Sequence, residues 1–211
     1  MKLLPLLFCF ACADKSDTDT DTGTDSGLET TVDTGETVDT SIDTSGETVV
    51  METTAGTIVI ELDFDAAPIT ANNFMEYVDS GFYDGTDGNG ATLFHRVIDD
   101  FMIQGGGYTA AGVIKETLSP IINEAATSGL SNVRGTIAMA RTNAPNSATS
   151  QFFINHVDNL FLDATNTDAG YAVFGVVTDG MDVVDTISST QTDNTDKPLV
   201  DIAILSVQVG D

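Results

Sequence analysis

Arg96 is the residue whose type and setting most plainly ask for a chemical reason. The stretch from Phe94 to Gly107 reads FHRVIDDFMIQGGG. It sets one cation among Phe94, Val97, Ile98, Phe101, Met102 and Ile103, then adds an amide, Gln104, and three glycines. The chain has only seven Lys plus Arg against 33 Asp plus Glu, so few cations are available for such a place. With a turn at Asp99-Asp100 between two short strands, alternation sends Arg96 and Ile98 to one face, and Met102 and Gln104 to one face of the second strand. The product is a concave apolar surface with one charged donor and one amide, suited to a neutral polar ligand such as a peptide.

Other chemistries lack their residues. The two histidines, His95 and His156, stand in no Ser/His/Asp arrangement and at no zinc-ligand spacing. His95 reads as a hydrogen-bonded structural residue, because Arg96 beside it on the strand faces the opposite side. Gly105 to Gly107 lack the strand, helix and lysine context of a phosphate loop. Both cysteines, Cys9 and Cys12, lie at the N-terminal end, which leaves the body without thiol chemistry. No metal and no cofactor is expected.

FHRVIDDFMIQGGG also resembles the signature of the cyclophilin family of peptidyl-prolyl cis/trans isomerases, and the likeness continues on both sides of it. GTIVIELDFDAAPITANNFMEYVDSGFYDG resembles that family's first hairpin and helix, RGTIAMAR and PNSATSQFFIN its central strands, and YAVFGVVTDGMDVVDTI its last strand pair and second helix. The resemblance spans roughly Val49 to Val209. It implies an isomerase of X-Pro bonds in unfolded or flexible polypeptides, working without cofactor. Arg96 matches the family's catalytic arginine. Phe101, Met102 and Gln104, in FMIQ, match residues that floor the proline pocket and hold the substrate backbone. Gln151 and Phe153, in SQFF, match a hydrogen-bonding amide and an aromatic wall, and Phe161-Leu162, in NLFLD, a pair lining the pocket. Ala140 and Arg141, in AMAR, match a strand edge that binds substrate through its main chain. Tyr171 stands where many members have His.

Three departures accompany the likeness. Phe161 replaces the Trp of many eukaryotic members and cannot give the indole N–H bond used for cyclosporin, which implies weak inhibition by that drug. Arg141 replaces Asn. TDGNGA, from Thr86 to Ala91, resembles an insertion, in which Asp84, Asp87 and Asn89 form either a polar surface turn or an oxygen-ligand calcium loop. By pattern alone, Phe101, Met102, Phe153 and Leu162 also fit the plain core of a barrel. Two rival roles therefore stand beside the isomerase: a proline-peptide-binding or chaperone module without turnover, and a surface protein that merely displays its acidic N-terminal tract.

The elements that must position these residues are legible as periodicity. Thr48 to Glu52 and Thr57 to Leu62 form a β-branched hairpin around Thr54-Ala55-Gly56. Pro68 opens a helix with Ala71, Phe74, Met75 and Val78 on one stripe, and Gly81 ends it. Short strands follow at Leu93 to Ile98, Met102 to Gln104, Thr136 to Ala140, Gln151 to Asn155, Ala172 to Val177 and Ile202 to Val209. A second helix fits Met181 to Ile187, with Asp179 as its cap. Many short strands and two helices predict a mainly β fold, a closed eight-stranded antiparallel barrel capped by two α-helices.

Composition divides the 211 residues into three parts. Residues 1–12, MKLLPLLFCFAC, read as a secretory signal, and Ala11-Cys12 resembles a bacterial lipoprotein box in which Cys12 is lipidated. Residues 13–48 carry eleven acids, one lysine and almost no large apolar side chain, the composition of a disordered tether. Such a chain spans on the order of 30 to 35 Å. Asp17, Asp19 and Asp21 alternate as in an EF-hand, but Thr22 and Leu28 stand where that loop needs Gly and Glu. Residues 49–211 form the isomerase domain, large enough for its own core. A formal net charge of −26 repels nucleic acid and anionic lipid, so the membrane is expected to be met only through the lipid anchor. The expected setting is a bacterial periplasm or outer membrane, and the expected form a monomer.

Overall fold

The structure is a computed structural model, and it describes residues 47–210. The signal segment, Cys12 and the acidic tract up to residue 46 lie outside the described residues. Eight strands, β1 (Thr48–Thr53), β2 (Gly56–Leu62), β3 (Thr92–Ile98), β4 (Met102–Thr109), β5 (Thr136–Met139), β6 (Phe152–Asn155), β7 (Val173–Asp179) and β8 (Ile204–Val209), make one sheet. Its order is β3-β4-β6-β5-β7-β2-β1-β8, with every pairing antiparallel. The ends meet through a bridge between Leu93 and Ala203 and a bond from the Phe94 amide to the Ile202 carbonyl, 2.9 Å. The predicted closed barrel is thus present, with a seam held by few bonds.

Alternation sorts the side chains into two apolar groups. Met51, Ile58, Ile60, Phe94, Ile103, Ile137, Phe152, Ile154 and Phe174 fill the barrel. Met102, Ala138, Phe153 and Val173, their neighbours along the same strands, form a separate cluster with Phe101, Ala140, Leu162 and Tyr171 packed against it. Sheet faces alternate, so this second cluster sits on the barrel's outer wall. That removes the plain-core reading of Phe101, Met102, Phe153 and Leu162.

α1 (Pro68–Asp79) lays Phe74 against Tyr83, Phe152 and Phe174, with ring centroids 5.2 to 5.7 Å apart. Its N-cap, Ala67, offers no side-chain bond, and a carboxylate distant in sequence does so instead. The amides of Ile69 and Thr70 donate to buried Glu124 at 3.2 and 2.8 Å, and the Thr70 hydroxyl donates at 2.7 Å. An anion at a helix N-terminus meets both the unpaired N–H groups and the positive end of the dipole. Glu124→Ala should therefore cost about 2 kcal/mol and lower Tm by roughly 4–8 °C, with Glu124→Gln losing less. An unchanged Tm for the alanine variant in thermal unfolding would contradict this role.

Two expectations need correction. Asp179 does not cap α2 (Met181–Ser188); it ends β7, and Gly180 is the N-cap, in the left-handed region at φ 87°. A Cβ on Gly180 would lie 2.2 Å from the Thr57 carbonyl oxygen, so no other residue fits the approach to β2. β4 does not stop at Gln104 but runs through the glycines to Thr109. Gly106 has φ 79°, and a Cβ there would meet Tyr83 at 2.8 Å and the Ser150 carbonyl at 2.9 Å. The glycines let the strand pass tightly over the aromatic core. A 3-10 turn, η1 (Leu160–Leu162), was not foreseen. Among the described residues no helix is long and apolar enough to cross a membrane.

Candidate active site

The β3–β4 register pairs Arg96 with Gln104 and Ile98 with Met102, as alternation from the Asp99-Asp100 turn requires. β6 then brings Phe153 beside Gln104, and β5 brings Ala138 beside Phe153. Arg96, Phe101, Met102, Gln104, Ala140, Arg141, Phe153, Leu162 and Tyr171 line a single cavity of about 140 Å³ on the outer wall. That is below the 300 Å³ or more of sites for drug-sized ligands, and suits one small ring or side chain. A larger depression, about 560 Å³, runs between α1 and Leu118–Ile121, but it holds no cation to polarise a ligand.

The polar groups form a line across the top of the cavity. Arg96 Nη1 donates to Gln104 Oε1 at 3.5 Å, and Gln104 Nε2 donates to Gln151 Oε1 at 2.9 Å. Arg96 Nε lies 3.6 Å from Asp196, whose carbonyl accepts the Val97 amide at 2.8 Å. The guanidinium is about two-fifths exposed, so both its edge and its charge remain available to a ligand.

Two predicted site residues fall just outside the cavity. Gln151 lines the adjoining depression with Thr142, Ser147 and Thr149, and its amide lies where a Cβ on Gly107 would be. Phe161 is 72% exposed and stacks on Phe101, with centroids 5.7 Å apart and planes 21° from parallel. It stands beside the cavity with one face open to solvent.

The chain from residue 48 to 209 matches the sequence model of the cyclophilin-type peptidyl-prolyl cis-trans isomerases. The chain belongs to the cyclophilin family. It is 53% identical over 165 residues to a peptidyl-prolyl cis-trans isomerase of Acinetobacter baylyi, covering 76% of this chain and 84% of that one. It is 49% identical over 170 residues to peptidyl-prolyl cis-trans isomerase B of Escherichia coli, covering 77% and 99%. A crystal structure of a Cryptosporidium parvum cyclophilin in the presence of the dipeptide Ala-Pro superposes with a TM-score of 0.60 at 27% identity, covering 78% of this chain and 99% of that one. Peptidyl-prolyl cis-trans isomerisation is therefore this chain's activity.

Arg141 has a second role in this cyclophilin besides lining the cavity. Its side chain turns away from the strand edge and is nearly buried: Nε donates to the Gly170 carbonyl at 2.7 Å and Nη2 to Asp168 at 3.3 Å. Its guanidinium also lies 4.5 Å from the Tyr171 ring centroid. Arg141 thus clamps the loop that carries Tyr171, whose ring meets Phe153 edge-on at 5.7 Å. His95 differs from its expectation. Its Nδ1 is buried without a hydrogen-bond partner, and the ring packs on Tyr108 at 4.7 Å. Burial pushes its imidazole below the ordinary value and the Arg96 charge adds to this, against the opposing Leu93 main chain and Gln151 amide. His95 therefore stays neutral near pH 7. The folded value lies below the unfolded one, so its contribution to stability is full above about pH 6.5 and is lost as pH falls through the folded value. An NMR titration should place its midpoint below about 6.5, and a midpoint at or above that would contradict the burial argument.

The polar residues that sequence reasoning missed sit behind the wall. Asn159 Nδ2 donates to the Phe101 carbonyl at 2.9 Å and to Asn155 Oδ1 at 2.8 Å. Asn155 donates to Asn132 at 3.2 Å, and Asn132 donates to Asp163 at 2.9 Å and to the Tyr171 carbonyl at 3.2 Å. Asn132, Asn155 and Asn159 are buried. They tie Phe101, η1 and Tyr171 into one rigid rim. For Asn155 and Asn159 the only signal was an amide inside the strings FFIN and DNLF, and Asn132, in LSNVRG, gave none.

The insertion loop is also explained. Lys115 Nζ enters it, donating to the Phe82 carbonyl at 2.6 Å, Asp87 Oδ1 at 3.0 Å and the Gly90 carbonyl at 2.9 Å. Of the three residues a calcium reading would use, Asp87 is taken by this ammonium ion and by Asn89, and Asp84 accepts from Thr86.

Proposed function

We propose that this cyclophilin acts on X-Pro bonds of unfolded or flexible polypeptides, with Arg96 as the donor to the proline nitrogen. The observation that carries the reading is the pairing of Arg96 with Gln104 across β3 and β4, directly over an apolar cavity of about 140 Å³. Rotation about an X-Pro amide must break a resonance worth a barrier of roughly 18–20 kcal/mol. In the twisted state the nitrogen becomes pyramidal and basic while the amide dipole falls. A guanidinium N–H stabilises the first change, and an apolar pocket favours the less polar twisted form. Phe101, Met102, Phe153 and Leu162 supply that pocket for the proline ring. Gln104 and Gln151 hold the substrate main chain, Ala140 offers a strand edge, and Phe161 and Tyr171 bound the rim. No step needs a cofactor.

The test is exchange spectroscopy on a short Xaa-Pro peptide with the full chain present. Accelerated cis/trans exchange supports the assignment. Binding without acceleration would leave only a peptide-binding module on the same barrel.

The reading extends to the cell. An apolar N-terminal run ending in Ala11-Cys12, followed by an acidic tract, supports export, lipidation of Cys12 and a monomeric domain held off a bacterial membrane to assist the folding of exported proteins. Nucleic acid is not a partner in this reading, given the net charge of −26. Labelled palmitate should enter the wild type and not Cys12→Ala, and equal labelling of both would remove the anchor.

A further inference from the structure

Behind the Asp99-Asp100 turn, a histidine and two carboxylates from opposite parts of the sequence converge. One ligand-type atom each from Asp99, Asp100 and His156 lies within 4.8 Å of the other two. His156 sits just past β6, and its amide donates to the Phe101 carbonyl at 3.0 Å, which fixes the residue against the turn.

The two ring nitrogens of His156 are in different situations. Nε2 lies 3.1 Å from Asp185 Oδ1 on α2, and Asp185 in turn accepts two bonds from Arg134 Nη2, at 2.9 and 3.0 Å. Nδ1 is buried and has no hydrogen-bond partner, although Asp99 Oδ1 stands 3.8 Å away. A buried polar nitrogen without a partner is costly and asks for an explanation. Asp185 favours the tautomer with its proton on Nε2. That leaves the Nδ1 lone pair 3.8 Å from a carboxylate oxygen, a repulsive pairing of two acceptors unless a proton or a metal cation lies between them.

We propose that His156 Nδ1, Asp99 and Asp100 form a binding site for a zinc-like divalent cation. One imidazole and two carboxylates form a mixed nitrogen and oxygen set that suits zinc better than calcium or magnesium, which prefer oxygen alone. Tetrahedral zinc with bonds of about 2.0–2.2 Å separates its ligands by roughly 3.3–3.5 Å. The 3.8 Å between Nδ1 and Asp99 therefore needs to close by a few tenths of an ångström, and the widest separation in the trio, up to 4.8 Å, by about 1 Å, a movement open to the exposed side chains of Asp99 and Asp100. Asp185, held by Arg134, is the outer carboxylate that orients a metal-binding histidine and raises its basicity. Ser188, whose hydroxyl donates to Asp99 Oδ1 at 3.3 Å, braces the second ligand. Water completes the coordination. The site lies on the turn between the strand of Arg96 and the strand of Gln104, so bound metal would stiffen the hinge of that hairpin.

The experiment uses the full chain and zinc chloride, because the acidic tract and the two N-terminal cysteines can also take up metal. Nitrogen-15 NMR of the two imidazoles reports on the site itself. One equivalent of Zn2+ should shift Nδ1 of His156 while leaving His95 unchanged, and an equal amount of Ca2+ should not. His156→Gln and Asp99→Asn should each abolish the effect seen on the neighbouring Phe101 and Asp100 amides. Asp185→Asn should weaken Zn2+ binding at this site roughly 10-fold or more while the chain stays folded. Two results overturn the proposal. Either His156 responds to pH but not to Zn2+, which makes it an imidazolium between carboxylates, or the Phe101 and Asp100 amides respond to Zn2+ equally in His156→Gln.

Discussion

Arg96→Ala is expected to lower kcat/KM for an Xaa-Pro peptide by roughly 10- to 150-fold. A hydrogen bond from a charged group contributes about 1.5–3 kcal/mol, and each 1.36 kcal/mol is tenfold in rate. The change should appear in kcat more than in KM, because the proline nitrogen becomes a good acceptor only when the amide twists. The fold should be unaffected: the Arg96–Asp196 pair is half-exposed, and such pairs contribute at most about 1 kcal/mol. Arg96→Lys should recover only part of the rate, since a point ammonium cannot face Gln104 and the substrate together as a planar fork does. Exchange NMR on the folded variants decides it. A fully active Arg96→Ala chain would withdraw Arg96 from catalysis and leave the pocket as the only agent. Even on this account Arg96 does not suffice. A ten-thousand-fold acceleration needs about 5.5 kcal/mol, so the apolar cavity must supply the remainder.

The second large effect is on stability. Lys115→Met should destabilise the domain by about 3 kcal/mol, the lower end of what breaking a buried ion pair costs, because Asp87 keeps some contact with solvent. It would leave Asp87 and two carbonyl oxygens, Phe82 and Gly90, without their donor, and would remove the ammonium lying 4.5 Å from the Phe82 ring centroid. For a domain of this size the loss corresponds to a fall in Tm of roughly 6–12 °C. Asp87 reports the same pairing. Burial raises its carboxyl, but the Lys115 ammonium and the Asn89 donors outweigh this and hold it below the usual range. Its stabilising contribution is therefore present above about pH 3.9 and lost as pH falls through the depressed value. Thermal unfolding of Lys115→Met at neutral pH is the measurement, and a Tm within a degree of wild type would refute the account. Calcium should not restore the lost stability, because the oxygens are arranged around an ammonium ion.

How much of this was legible depends on the range over which each residue acts. The hairpin of β3 and β4 was readable because alternation is local: once a turn falls at Asp99-Asp100, Arg96 must face Gln104. The same holds for Phe153, one residue along from the core residue Phe152. Alternation could not say which face of the barrel is inside, and so Met102 and Phe153 fitted either role. Long-range polar pairing leaves no periodic trace at all. Glu124 caps a helix 54 residues away, Lys115 reaches back 28 residues to Asp87, and Asn132 bonds to Asn155 across 23. Arg141 adds a contact of the same long-range kind: just past β5, its side chain follows the Gly170 carbonyl and Asp168, 29 and 27 residues on. The strand limits of β4 failed for a third reason, since glycines are read as breaks until a crowded aromatic neighbour such as Tyr83 explains them.

The cavity opens on the outside of the barrel, while the interior is closed by Phe74, Phe94, Phe152 and Phe174. A client therefore never has to be threaded. A proline in the middle of a long polypeptide can rest on the wall while both arms of the chain remain in solvent and rotate about it. If the proline binds there, length, bulk and whatever is already folded at either end are expected to set no entry condition, and a few residues of slack on each side of the proline to suffice.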